Sequence, residues 1–168
     1  MNISDEYRAL NKQLHQNNSG WGSSARLRVG GVQKLATEQD VKSILDYGCG
    51  KGLMKLQSGL AMDEYDPAIS GKEDIPKSHY DMVICTDVME HVEPEYVDNV
   101  LNEINGLFDV CAYLIIYLVP AVHNFPDGSN CHRTVKPAEW WLDKLNTIFG
   151  CDITHRSTST ELEIIAIR

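Results

Sequence analysis

An apolar strand that runs into an acid and then into glycine at every second position leaves a chain few folds to choose from. Residues 43 to 52, Ser-Ile-Leu-Asp-Tyr-Gly-Cys-Gly-Lys-Gly, form such a segment. Gly48, Gly50 and Gly52 lack Cβ, so the turn can take positive φ and bring main-chain N–H groups closer to a ligand than any side chain allows. A dinucleotide-binding turn would want glycine at the sixth position of G-x-G-x-x-G, and Leu53 stands there. The readings left are a loop that admits some other ligand at the end of the strand, or a glycine-rich turn with no function.

The rest of the chain reads as alternating strand and helix. Residues 1 to 22 are polar and rich in Asn and Gln, with Trp21 between two glycines, which suggests a loosely held arm or lid. Ser23 to Thr37 has a weak helical period, damaged by Gly30-Gly31. Strands are expected at Lys42 to Tyr47, Gly59 to Tyr65, Tyr80 to Thr86 and Ala112 to Val119, with a short helix from Gly52 to about Gln57. Pro94 opens a helix whose apolar face is Val97, Val100, Leu101, Ile104 and Leu107. Pro137 opens another that Gly150 closes, and Asp152 to Ser157 and Leu162 to Arg168 suit an antiparallel edge hairpin. Only 14 residues separate Asp66 from Asp81, where a strand-helix-strand crossover takes about 30, so one crossover is trimmed. The expected fold is α/β, a three-layer Rossmann-like sandwich with a mostly parallel sheet, and 168 residues make one domain of it.

Composition narrows the partners. A net charge of −9, with no stretch that concentrates Lys and Arg, disfavours nucleic acid. The five cysteines include no C-x-x-C pair and read as free thiols in a reducing cytoplasm. The longest apolar run, Ala112 to Val122, is too short to span a bilayer, and Met1-Asn2-Ile3-Ser4 carries no visible signal or lipidation motif. Oligomeric state is not legible.

The spacing Asp-x-Gly-x-Gly-x-Gly of Asp46 to Gly52 resembles motif I of the class I S-adenosylmethionine-dependent methyltransferases. Thr86-Asp87-Val88-Met89-Glu90-His91-Val92 resembles their D-V-L-E-H-V segment, shared by many small-molecule O- and C-methyltransferases. The compact form is similar to members encoded by phage and mobile elements. The resemblance implies S-adenosyl-L-methionine as cofactor, with contacts from Asp46, Gly48, Cys49, Gly50, Gly52, Asp66, Asp74, Thr86 and Asp87. Asp66, 20 residues after Asp46, stands where the family's acid takes the ribose hydroxyls, with Glu64 in reserve. Asp74-Ile75-Pro76 resembles the segment beside adenine. A solvated acid and an ordinary surface turn are the plain alternatives for Asp66 and Asp74.

Methyl transfer from a sulfonium needs an aligned acceptor and, for a hydroxyl, a base; His91 and then His132 are the candidates. Asp87, Glu90 and His91 stand at i, i+3 and i+4, and with His132 or His123 they make a set suited to Mg²⁺ or Mn²⁺. That pattern resembles the metal centre of small-RNA 3′-end 2′-O-methyltransferases, without their basic RNA-binding surface. The alternative is a Glu90–His91 hydrogen-bonded pair that orders the turn. Arg133 could clamp an anionic acceptor, and one of Trp140 and Trp141 could roof its pocket. The expected activity is O-methylation of a small-molecule or carbohydrate-like acceptor, with a metal-assisted RNA 2′-O-methyltransferase or a non-catalytic S-adenosylmethionine binder as alternatives.

Overall fold

The computed structural model describes residues 2–18 and 23–168. Helix α1 (Asp5–Asn17) is capped by Ser4, whose hydroxyl accepts from the Tyr7 N–H at 3.1 Å, and Asp5 and Glu6 complement the helix dipole in its first turn. A 3₁₀ turn (Ser23–Leu27) leads into α2 (Val29–Glu38). Gly31 costs that helix propensity but gives room: a Cβ there would lie 2.9 Å from the Tyr113 hydroxyl. Strand β1 (Ile44–Tyr47), helix α3 (Leu53–Ser58) and strand β2 (Asp63–Tyr65) follow, then β3 (Tyr80–Thr86), α4 (Val97–Leu107), β4 (Phe108–Tyr117), α5 (Ala138–Phe149) and the hairpin β5 (Asp152–Ser157) and β6 (Glu161–Ile167).

The six strands lie in the order β2-β1-β3-β4-β6-β5, the first four parallel, β6 antiparallel to β4 and β5 antiparallel to β6. No helix or strand forms between β2 and β3, so the trimmed crossover is real. Because side chains alternate across a strand, the sheet sorts its apolar residues into two layers. Leu45, Val83, Cys85, Ala112, Leu114 and Ile116 face α4 and α5, while Ile44, Met82, Ile84, Cys111, Tyr113 and Ile115 face α2 and α3. The result is the three-layer sandwich that the sequence implies. From β1 the chain proceeds to β2 on one side and later to β3 on the other, and the carboxyl ends of β1 and β3 flank the crevice where open α/β sheets bind ligands.

Three expectations change. Residues 5–17 are a helix rather than an unstructured arm, and α1 is tied down at long range. The Ser4 N–H and hydroxyl both donate to the Glu93 carboxylate, at 2.8 and 2.7 Å, and the Tyr7 hydroxyl donates to the Cys131 carbonyl. Trp21 lies outside the described residues. Strand β2 keeps only three residues of the expected seven, and β4 starts four residues early, at Phe108. All five cysteines are free, and among the described residues no helix is long and apolar enough to cross a membrane.

Candidate active site

The carboxyl ends of β1 to β4 open into one cavity of about 640 Å³, a size that suits a nucleoside plus a small acceptor. Asp46, Gly48, Cys49, Gly50, Tyr65 and Asp66 line one half. Thr86, Asp87, Glu90, His91, Tyr117 and His132 line the other, and Tyr7, Asn11 and His15 of α1 close the top.

The glycine loop takes the backbone conformation its spacing implies, with φ of +78°, +51° and +77° at Gly48, Gly50 and Gly52. Its N–H groups, however, are not bared to the cavity. Gly48 and Cys49 donate to the Tyr65 carbonyl at 2.8 and 3.0 Å, Gly50 donates to Asp66 at 2.9 Å, and Gly52 donates to the Cys49 carbonyl. Strand β2 runs close enough beside the loop to absorb them. The glycines therefore supply shape: a Cβ on Gly48 would stand 2.3 Å from a Val88 methyl, and one on Gly50 would meet the His15 ring at 3.2 Å. Gly52 does not line the cavity; it packs against Glu64, whose carboxylate would be 2.1 Å from a Cβ there. Glu64 is itself engaged by Lys72 and Lys55, at 3.2 and 3.8 Å, and is no rival to Asp66.

Asp66 is buried with one oxygen on the Gly50 N–H and the other on the Ala68 N–H. A carboxylate has about four lone-pair positions, so each oxygen can still accept from a ribose hydroxyl. Asp46 is also buried, and burial, reinforced by Glu64, pushes its carboxyl up to about 7. Asp74 is exposed and outside the cavity. Its neighbour Ile75 turns inward against the core, which faces Asp74 to solvent. Arg133 is likewise exposed, lying over the Tyr7 ring at 5.5 Å, and neither tryptophan reaches the cavity; Trp141 is core.

The other half is more unusual. The His132 ring donates through Nδ1 to the Val119 carbonyl at 2.6 Å, and the His91 ring through Nδ1 to the Cys131 carbonyl at 2.9 Å. Each bond fixes a tautomer and puts the lone pair on Nε2. Burial, then His132, drives the His91 pKa down to about 3, and burial lowers His132 as well. Glu90 is fully buried and neither carboxyl oxygen has a hydrogen-bond partner among the described residues, so the expected Glu90–His91 pairing is not formed. Burial, then Asp87, raises its carboxyl well above the carboxylate range. One ligand atom from each of Glu90, His91 and His132 falls within 4.8 Å of the others, with His132 Nε2 4.0 Å from Glu90. Two imidazoles and a carboxylate suit a divalent transition metal rather than Mg²⁺, which takes oxygen ligands. Asp87, expected among those ligands, stands apart on the wall at φ +57°. Its carboxyl is raised by burial against the pull of Ser24 and Arg28.

Tyr7, Asn11, His15 and Tyr117 were not expected in the site. Ser4-Asp5-Glu6 before Tyr7, Leu10 and Leu14 was the available signal, an N-cap ahead of a narrow apolar stripe that packs on Phe125 and Cys131.

No model of a known protein family matches this sequence, and no curated protein does. Solved structures do match. The 1,6-didemethyltoxoflavin-N1-methyltransferase of Burkholderia thailandensis, solved with 1,6-didemethyltoxoflavin and S-adenosylhomocysteine, superposes with a TM-score of 0.64 at 15% identity over 97% of this chain and 89% of that one. This is the fold of the S-adenosylmethionine-dependent methyltransferases. Magnesium protoporphyrin IX methyltransferase of Synechocystis PCC 6803, with S-adenosylmethionine bound, gives 0.64 at 17% identity over the whole of both chains. An O-methyltransferase family protein of B. thailandensis gives 0.63 at 14% identity, and there the match takes in 86% of this chain and 57% of the other. The methyltransferase fold accounts for the glycine loop and for a cavity at the strand ends.

Proposed function

We propose that this protein transfers the methyl group of S-adenosylmethionine to an oxygen of a small or carbohydrate-like acceptor. The observation that carries the reading is the division of one cavity. A cofactor half is built from the glycine loop and Asp66, and an acceptor half holds oriented imidazoles beside an unpartnered acid. Asp66 accepts from the ribose hydroxyls, and the Cβ-free loop lets the nucleoside approach the backbone. The sulfonium is already a good leaving group, so the chain's task is alignment and one proton. The acceptor oxygen attacks the methyl carbon, the carbon–sulfur bond breaks to give the neutral thioether, and the hydroxyl proton passes to His132 Nε2. The Nδ1–H bond to Val119 holds that ring in place.

A second reading adds a divalent cation at Glu90, His91 and His132, favoured by the unpartnered Glu90 carboxyl between two oriented imidazoles. When bound, such an ion would act as a Lewis acid on the acceptor hydroxyl. The acidic surface gives this reading no support toward RNA.

The test is incubation with methyl-labelled S-adenosylmethionine and fractionated metabolite or glycan extracts. The proposal expects a labelled product whose formation falls by about 10²–10⁴ in His132→Ala. Binding of S-adenosylhomocysteine without transfer to any fraction would make the protein a binder and not an enzyme.

A further inference from the structure

Four carboxyl groups, Asp46, Asp66, Asp87 and Glu90, line the cavity, and none of the chain's 15 lysines and arginines does. Arg28, the cation that acts on Asp87, is bonded to Glu161 at 2.5 Å and does not reach the lumen. Asp46 and Asp66 sit at the ends of β1 and β2, on the cofactor half. In the acceptor half, Asp87 and Glu90 each have two buried oxygens without a hydrogen-bond partner among the described residues. Buried polar atoms are almost always satisfied, so four such oxygens on two residues of one cavity wall mark positions that a ligand completes. The oriented ring of His132 presents a lone pair to the same space. What these groups lack is donors. Val119, Pro120 and Ala121 add an apolar stretch to the lining, next to the His132 ring.

We propose that the acceptor is a neutral polyhydroxylated molecule of the glycoside class, and that the site rejects acceptors carrying a phosphate or carboxylate. This rests on the reading of the cavity as a methyl-transfer site. Hydroxyls on one edge of a sugar donate to Asp87, Glu90 and His132, while its C–H face packs on the wall formed by residues 119–121. An anionic acceptor has no cation to meet here and must give up its hydration beside Asp87, the arrangement by which sites reject wrong partners.

The experiment is ligand-observed saturation-transfer NMR on the full chain in EDTA, so that Glu90 and the histidines carry no metal. S-Adenosylhomocysteine is added first. Failure to bind it overturns the methyl-transfer reading itself. With it bound, matched probes are compared: methyl β-D-glucopyranoside against methyl β-D-glucuronide, and mannose against mannose 6-phosphate. We expect saturation transfer to at least one neutral sugar, with its anionic counterpart at least about tenfold weaker, a gap of ~1.4 kcal/mol. Asp87→Asn, which keeps the shape and tolerates φ +57°, should narrow the gap to about threefold or less. Asp87→Gly, which suits φ +57° and also removes the acid, serves in place of Asp87→Asn if that variant does not fold. Equal or tighter binding of the anionic member, or no neutral sugar bound to the loaded protein, overturns the inference.

Discussion

Gly48→Ala separates two reasons for a glycine at the first position of the loop. At φ +78° an alanine is forced into the left-handed region, which costs about 1–2 kcal/mol. Its Cβ would also stand 2.3 and 2.9 Å from the two methyls of Val88. Valine is stiff at χ1, so rotation gives little relief, and overpacking of this kind costs about 1–3 kcal/mol. The sum is about 2–5 kcal/mol, a large share of the ~5–15 kcal/mol that holds a domain together. Val88→Ala removes the offending methyls and leaves the backbone strain. In the double variant the nearest remaining contact is the residue 88 Cβ at 3.2 Å. The double-mutant cycle should therefore show the pair about 1–3 kcal/mol more stable than the sum of the singles. Urea unfolding measures this through the midpoint at constant slope. A coupling energy below about 0.5 kcal/mol would mean that Val88 does not press on the loop and that this account of Gly48 is wrong.

Further outcomes follow from the same geometry. Asp46 keeps its proton up to about 7 when folded and loses it near the ordinary value of 3.8 when unfolded. Its contribution to stability is thus whole below that ordinary value and is lost as pH rises to about 7. Subtracting the Asp46→Asn stability curve from that of wild type should show this fall, and a flat or rising difference would contradict it. Glu93→Ala removes both bonds to Ser4, so hydrogen exchange should speed up by at least about tenfold along α1 while β3 and β4 keep their protection. Unchanged exchange would show that α1 is held by its apolar stripe alone. Mn²⁺ should raise the melting temperature of the wild type but not of Glu90→Gln; equal shifts in both would place the ion elsewhere.

The sequence made β3 legible to the residue, because a continuous apolar run bounded by polar residues has one home in a parallel sheet. The face of α4 was equally plain, since a period of 3.6 needs no tertiary information. Helix α1 was not legible. It buries only Tyr7 and Asn11 within an Asn- and Gln-rich segment, and its anchor is a glutamate 89 residues away. The fate of the loop N–H groups was hidden for a similar reason, because it depends on how closely Tyr65 of β2 runs beside Gly48. Asp74 is expected beside adenine but faces solvent, because the direction it points is set by the packing of Ile75, which the motif does not reveal. Glu90, His91 and His132 come together, the first two as chain neighbours and His132 through the loop after β4, whose path the sequence does not fix; Asp87, in the same i, i+3, i+4 set, falls outside the group.

If the glycine loop and Asp66 hold the nucleoside of S-adenosylmethionine, calorimetric titration with S-adenosylhomocysteine will register it. One molecule should bind per chain. Ligand at about 100 times Kd should then add about 2.7 kcal/mol and raise Tm by about 5–10 °C, and Gly50→Val should abolish both effects. A folded wild-type protein that gives neither binding heat nor a thermal shift would contradict it.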